Sequence, residues 1–281
     1  MEVEAGGGGI NICKVINGLG GDCAALFPSG GFNGKILEQI LQERKIAIKA
    51  IPIAGETREN FSATDLAANA EYRFVQPGPV LSPDELESCI QSIADFRPVP
   101  SIIVFSGSLP PNAPTDVVAR LAAISKKVNA EFIADTSGQT LKQALEEGVY
   151  MIKPNLSELC FLSGTDYLEE NEIEGAARMI INKGGCKVMV VSMGPMGALL
   201  LTKEICKRIP APPVVKISTV GAGDSMVAGM SMMLSQGKPL EVAVQFGVAC
   251  GSAATIHTGS ELCKKEDVER FFEWIKMNTT E

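Results

Sequence analysis

The run Ser218-Thr219-Val220-Gly221-Ala222-Gly223-Asp224-Ser225 joins two glycines, which let backbone come close to a ligand, to a carboxylate where a helix marked by Met226, Val227, Met230 and Leu234 begins. Free amides and the dipole at such a helix start favour an anion. Asp224 reads there in two ways: as a cap after a glycine turn, or as the base that accepts a hydroxyl proton beside a phosphoryl group in transit. Lys153-Pro154-Asn155-Leu156-Ser157-Glu158-Leu159 carries a capping pattern, Asn155 with Glu158 three residues on. Its second reading is an amide and a carboxylate organising Mg2+ waters and phosphate oxygens at the end of a parallel strand. Arg58, in Thr57-Arg58-Glu59-Asn60, is either a solvated charge or a bidentate clamp on a substrate phosphate. Gly6 to Gly9 with Asn11 read as a flexible terminus or as backbone and amide set against sugar hydroxyls. Ser106-Gly107-Ser108-Leu109-Pro110-Pro111 is an ordinary turn or a strand end facing a ligand.

The apolar runs Ser101–Phe105, Glu131–Ala134, Tyr150–Ile152 and Lys187–Val191 alternate with helical patterns at Pro114–Val128 and Glu172–Asn182. That alternation predicts a parallel sheet covered on both faces. Residues 46–80 differ: Ile46–Ile53, Phe61–Leu66 and Tyr72–Val75 are strand-like with no helix between them, which predicts a β appendage acting as a lid, or an antiparallel edge of the main sheet. The domain plan is therefore one α/β domain from 1–45 and 81–281, with 46–80 as the lid. A helix near Ile10, with Ile12, Val15, Ile16 and Leu19 on one face, opens the chain without a strand before it.

With 281 residues, 46% of them hydrophobic, the chain has ample material for a buried core. Its net charge of −8 argues against nucleic acid and anionic membrane as partners. The 8 cysteines form no C-x-x-C pair and read as free thiols of a reducing, cytoplasmic protein. No apolar run reaches the ~18 residues of a membrane span, and no export signal opens the sequence. The 1 histidine, His257, excludes His-rich zinc sites and H-E-x-x-H chemistry, and reads as a helix-end residue. Neither G-x-x-x-x-G-K-[ST] nor a G-x-G-x-x-G after a strand is present, which disfavours P-loop and Rossmann nucleotide sites.

Taken together, GGGGIN (6–11), TREN (57–60), YRFVQPG (72–78), SGSLPP (106–111), DTSG (135–138), KPNLSEL (153–159), VVSMGPMGAL (190–199), STVGAGDSM (218–226) and FGVACGSAAT (246–255) resemble the ribokinase/PfkB family of carbohydrate kinases over nearly the whole chain. The resemblance implies a ribokinase-like three-layer α/β sandwich with a mostly parallel central sheet and a small β-sheet lid. It implies transfer of the ATP γ-phosphoryl group to a sugar-phosphate hydroxyl with Mg2+, fructose 6-phosphate first, fructose 1-phosphate or tagatose 6-phosphate as alternatives. A non-catalytic nucleotide or sugar-phosphate binder is the rival from another class. Asp224 would be the base and Gly221, Ala222 and Gly223 the anion hole. Asn155 and Glu158 would serve Mg2+, and Lys153, Ser192, Gly194 and Gly197 the nucleotide. Gly6, Gly7, Asn11 and Arg58 would hold the sugar phosphate, and Ser218, Val220 and Ala254 a monovalent cation such as K+, although His257 stands where a smaller polar ligand belongs. Family lids imply a homodimer. Similar proteins carry roughly thirty more residues at the start, including a central strand, a sugar-binding Asp and part of the lid. The expectation that follows is lowered activity and altered assembly.

Overall fold

The computed structural model describes residues 3–65, 70–114, 116–258 and 261–279. Helix α1 (Gly8–Gly18) buries Ile10, Ile12, Val15 and Ile16, the periodic face seen in the sequence. Strand β1 (Ala24–Ser29), helix α2 (Gly31–Glu43) and strand β2 (Ala47–Pro52) follow as a β-α-β unit, its strands paired in parallel from Ala24 opposite Ala47 to Ser29 opposite Pro52. The segment Ile46–Ile53 thus joins β1 and not a β appendage. The reason is α2, which buries Leu41 and supplies the crossover that parallel strands need. What remains of 46–80 as an appendage is the hairpin of β3 (Phe61–Asp65) and β4 (Ala70–Phe74), antiparallel with Phe61 opposite Phe74. Leu66, read as the end of the first of these strands, lies outside the described residues.

From α3 (Pro83–Ala94) onward the chain alternates as its apolar runs predict: β5 (Ile102–Ser106), α4 (Val117–Lys127), β6 (Glu131–Asp135), α5 (Gly138–Glu147), β7 (Val149–Ile152), α6 (Leu156–Ser163), α7 (Ile173–Asn182) and β8 (Cys186–Ser192). Strands β9 (Ala198–Leu201) and β10 (Cys206–Ile209) then precede α8 (Ala222–Ser235), α9 (Leu240–Thr255) and α10 (Lys265–Asn278). The sheet order is β10-β9-β8-β7-β6-β5, parallel from β5 to β8 and antiparallel at β9 and β10.

The two-residue strand period sorts side chains into two cores. Ile133, Met151, Val188 and Val190 pack with α1, α8, α9 and α10, while Phe132, Ala134, Ile152, Met189 and Val191 pack with α4, α5 and α7. Helices therefore cover both faces, which makes three layers. The central sheet is in two pieces among the described residues, because β1 pairs with β2 alone and β5 ends the larger sheet. A cavity of about 1740 Å3 separates them, lined by residues 24–28 on one side and 101–106 on the other. None of the described helices is long and apolar enough to cross a membrane.

Candidate active site

Polar residues end the parallel strands on the face covered by α8. Ser106 continues the register of Ile102 and Val104, and Ser192 that of Val188 and Val190, all four of which pack in the α8 core. Asp135 is likewise two residues beyond Ile133, and Lys153 two beyond Met151. Ligands of open α/β sheets bind at this carboxyl edge. Lys153 is buried, 6% exposed, and its Nζ stands 3.1 Å from Asp135 Oδ1.

The turn entering α8 meets these strand ends. Gly221 takes φ 71, a left-handed backbone that favours glycine, and serves as the helix's N-cap residue. Asp224 therefore sits in the first turn, three residues after the N-cap, and not at the N-cap itself. The Ala222 amide donates to the Thr219 carbonyl at 3.3 Å. The first-turn amides of this helix supply the positive end of its dipole. On one side of this turn, a side-chain carbon built on Gly223 would lie 3.3 Å from Lys153 Nζ. On the other, Asn11 Nδ2 donates to Asp224 Oδ2 at 2.8 Å. A carbon built on Gly8 would meet Ser106 Oγ at 2.1 Å and Asp224 Oδ1 at 3.4 Å. Asn11, on α1, is 7% exposed, and its Oδ1 is buried with no hydrogen-bond partner among the described residues.

Asn155 and Glu158 form the capping box their spacing predicts: Glu158 N donates to Asn155 Oδ1 and Asn155 N to Glu158 Oε2, both at 2.9 Å. Burial raises the Glu158 carboxyl above the ordinary carboxylate range, Asn155 and Lys153 pull it back, and Asp135 pushes it further up. Ser192 N donates to the Pro154 carbonyl at 2.9 Å, which joins this strand end to the next. Gly194 (φ 58) and Gly197 (φ 86) turn the chain between β8 and β9. A side chain on Gly197 would strike the Ile209 carbonyl at 2.0 Å.

Gly6, Gly7, Asn11, Arg58 and Val220 line the large cavity together with Ser106. Arg58 is exposed, its Nη1 3.5 Å from both the Gln76 carbonyl and Ser108 Oγ. The loop with Ser218 and Val220 is fastened to the end of α9: Ile217 N and Ser218 N donate to the Thr255 carbonyl at 2.8 and 3.2 Å. Ala254 is buried beside it. His257 does not cap α9, whose C-cap is Ile256; its Nε2 is 3.0 Å from Asp267 Oδ2 and ties α9 to α10. Two residues of this site, Ser106 and Asp135, were visible in the sequence as motif members without an assigned role. Their signal is a polar residue two positions after an inward apolar one at a strand's end.

A helix N-terminus with an attached carboxylate, a buried lysine at the next strand end and a glycine-rich start on α1 make an anion-handling site. The pfkB family carbohydrate kinase model matches residues 1–267. The chain belongs to this family. It is 40% identical over 270 residues to the ATP-dependent 6-phosphofructokinase isozyme 2 of Mycobacterium tuberculosis, covering 96% of this chain and 79% of that protein. It is 30% identical over 272 residues to the 1-phosphofructokinase of Bacillus subtilis, covering 97% of this chain and 88% of that one. The solved structure of Escherichia coli phosphofructokinase-2 in complex with potassium superposes with a TM-score of 0.92 at 38% identity, covering 96% of this chain and 88% of that chain. The fold is ribokinase-like and the chain is a phosphotransferase, of a kinase family that implies ATP and a divalent metal.

The donor set fits a metal that arrives on nucleotide phosphates. Among the described residues no group of three or more His, Cys, Asp or Glu side chains is placed to cage an ion. A cation with strong hydration, held by one or two carboxylates and phosphate oxygens, needs no such cage.

Proposed function

We propose that this chain transfers the γ-phosphoryl group of ATP to the free primary hydroxyl of fructose 6-phosphate. The observation that carries the reading is the placement of Asp224: held by Asn11 at the start of α8, on a turn whose other side meets a buried lysine. A carboxylate has little reason to stand in an anion cradle unless it takes the proton of the attacking hydroxyl. Asn11 holds one oxygen of that base, and its own buried Oδ1 is an acceptor for a sugar hydroxyl, which would relieve a cost of about 1–3 kcal/mol. The Gly221, Ala222, Gly223 turn would form the anion hole, with the Gly223 amide and the helix dipole set against the charge that develops on the migrating group, the Ala222 amide being held by the Thr219 carbonyl. Lys153, Ser192, Gly194 and Gly197 line the nucleotide side, and Gly6, Gly7 and Arg58 the sugar-phosphate side. Mg2+, when bound, neutralises phosphate charge, with Asn155 and Glu158 holding its waters.

Oxygen donors at Ser218, Val220 and Ala254 suit a hard monovalent cation, K+ for example, and the likeness to a potassium-bound structure supports a test of K+ dependence. The hairpin β3–β4 exposes Phe61, Tyr72 and Phe74, an apolar face suited to a lid that also joins two copies as a homodimer. Free thiols support a cytoplasmic location. The B. subtilis relative favours a second reading, with fructose 1-phosphate as acceptor.

A coupled ADP-release assay with fructose 6-phosphate, fructose 1-phosphate, tagatose 6-phosphate and free fructose decides among these. Highest kcat/KM with fructose 6-phosphate supports the first reading; no turnover with any of them leaves a binding protein instead. Asp224→Asn lowers turnover by about 10²–10⁴-fold while ATP still binds. Near-normal turnover in that variant overturns the assigned base.

A further inference from the structure

We propose that Asp135 is a positioning residue for phosphoryl transfer: it holds the Lys153 ammonium against the Gly221–Gly223 turn, where the migrating group passes. The proposal rests on the kinase reading above and adds to it a residue of the DTSG segment that otherwise has no task.

Three observations carry it. Asp135 and Lys153 lie one step beyond the last paired residues of β6 and β7, Ala134 and Ile152, so a parallel register brings them side by side on the α8 face. Their charged atoms are 3.1 Å apart, with the side chains only 13% and 6% exposed. Beyond the pair, Lys153 Nζ comes within 3.3 Å of where a side chain on Gly223 would begin. An ammonium this deep is costly to bury without a counter-charge. It has three protons to donate, so a bond to Asp135 leaves others for an anion at the turn.

The order of charges matters. A carboxylate facing a phosphate directly would repel it, whereas Asp135 stands on the sheet side with the ammonium between it and the turn. Its backbone is fixed as well: Gly107 N donates to the Asp135 carbonyl at 3.1 Å, and Thr136 Oγ1 donates to the Gly107 carbonyl at 2.7 Å. The strand end that carries Asp135 is thus stitched to the turn after Ser106, and the acid cannot follow the lysine outward.

The test compares wild type, D135N, D135E, K153M and D135N/K153M by steady-state kinetics and by thermal melting. D135N should lower kcat by about 10–100-fold with KM for the sugar phosphate changed by less than about threefold, and D135E should recover part of the loss. In the K153M background the D135N change should alter kcat by less than about threefold, because the residue through which it acts is gone. Melting should show the same coupling: D135N, which strands a buried ammonium, should lower Tm more than the double variant does. Losses that multiply in the double variant, wild-type kcat in D135N, or a loss confined to KM each overturn the proposal. If wild type turns over none of the sugar phosphates, the kinase reading fails, and the melting cycle alone judges the pair: additive shifts in Tm reject it and non-additive ones retain the ion pair.

Discussion

Asn11 and Asp224, 213 positions apart in sequence, share a hydrogen bond of 2.8 Å in which the amide donates to the carboxylate. The bond holds Oδ2, while Oδ1 lies on the side of Gly8 and Ser106, 3.4 Å from where a side chain on Gly8 would begin. A hydrogen bond to a charged group contributes about 1.5–3 kcal/mol. Asn11→Ala is therefore predicted to lower kcat by ~10- to 100-fold, by leaving the base unoriented. An unchanged kcat, with only KM for the sugar raised, would assign Asn11 to substrate contact alone.

Gly8 is predicted to be intolerant of any side chain. The added carbon of Gly8→Ala would fall 2.1 Å from Ser106 Oγ and 3.2 Å from Ser106 Cβ, so the Ser106 hydroxyl must swing away from its place at the site and its carbon must give by a few tenths of an ångström. Misplacement of reacting groups by about 1 Å costs ~10²-fold in rate. Gly8→Ala should show that loss, and Gly8→Ala/Ser106→Gly, which removes the obstructing hydroxyl and its carbon, should recover at least a tenth of wild-type turnover. A double variant no better than Gly8→Ala would place the obstruction elsewhere.

How far the sequence led is visible in particular residues. The capping box of Asn155 and Glu158 is a local pattern, and it forms where its spacing places it. Strands β5 to β8 announce themselves as continuous apolar runs because both faces are buried by helices. The β1–α2–β2 unit was not legible: Pro28 interrupts the apolar run of β1, and α2 begins with Gly31 and Gly34 and buries few of its residues. A strand next to it, read without its helix, then looked like part of the β appendage. The Asn11 to Asp224 bond has no local signal at all, since it depends on α1 and α8 packing against each other. Asp135 lies between these cases; the two-residue period from Ile133 points it at the site, but only once the face covered by α8 is known.

Arg58 is exposed and lines the cavity that Gly6, Gly7 and Asn11 also line. Its guanidinium is within 3.5 Å of Ser108 Oγ, so it reaches across from the segment before β3 to the turn after β5. If it clamps the substrate phosphate, Arg58→Ala should raise KM for fructose 6-phosphate by about 10-fold or more, the value of a charge-assisted contact, and leave KM for free fructose unchanged. Equal effects on the two sugars would remove the clamp.

Cys186 gives a prediction on stability that needs no substrate. At the start of β8 it is 5% exposed, and burial pushes its thiol up to about 12 from an ordinary 9.0. The folded chain therefore keeps a proton that the unfolded chain releases between pH 9 and 12. The sign follows: a raised folded-state value contributes stability that is fully present below pH 9 and declines as pH rises toward 12. The decline attributable to this one group is about 1.4 kcal/mol per pH unit within that window. Cys186→Ala lowers stability at pH 7 by removing buried volume, yet it should fall less steeply than wild type in urea melts from pH 9 to 11. Wild type should also react slowly with thiol reagents at this position at pH 8, where the folded thiol is protonated. Parallel stability curves for the two proteins, or rapid modification of Cys186 in the folded state, would show that this strand end opens to solvent.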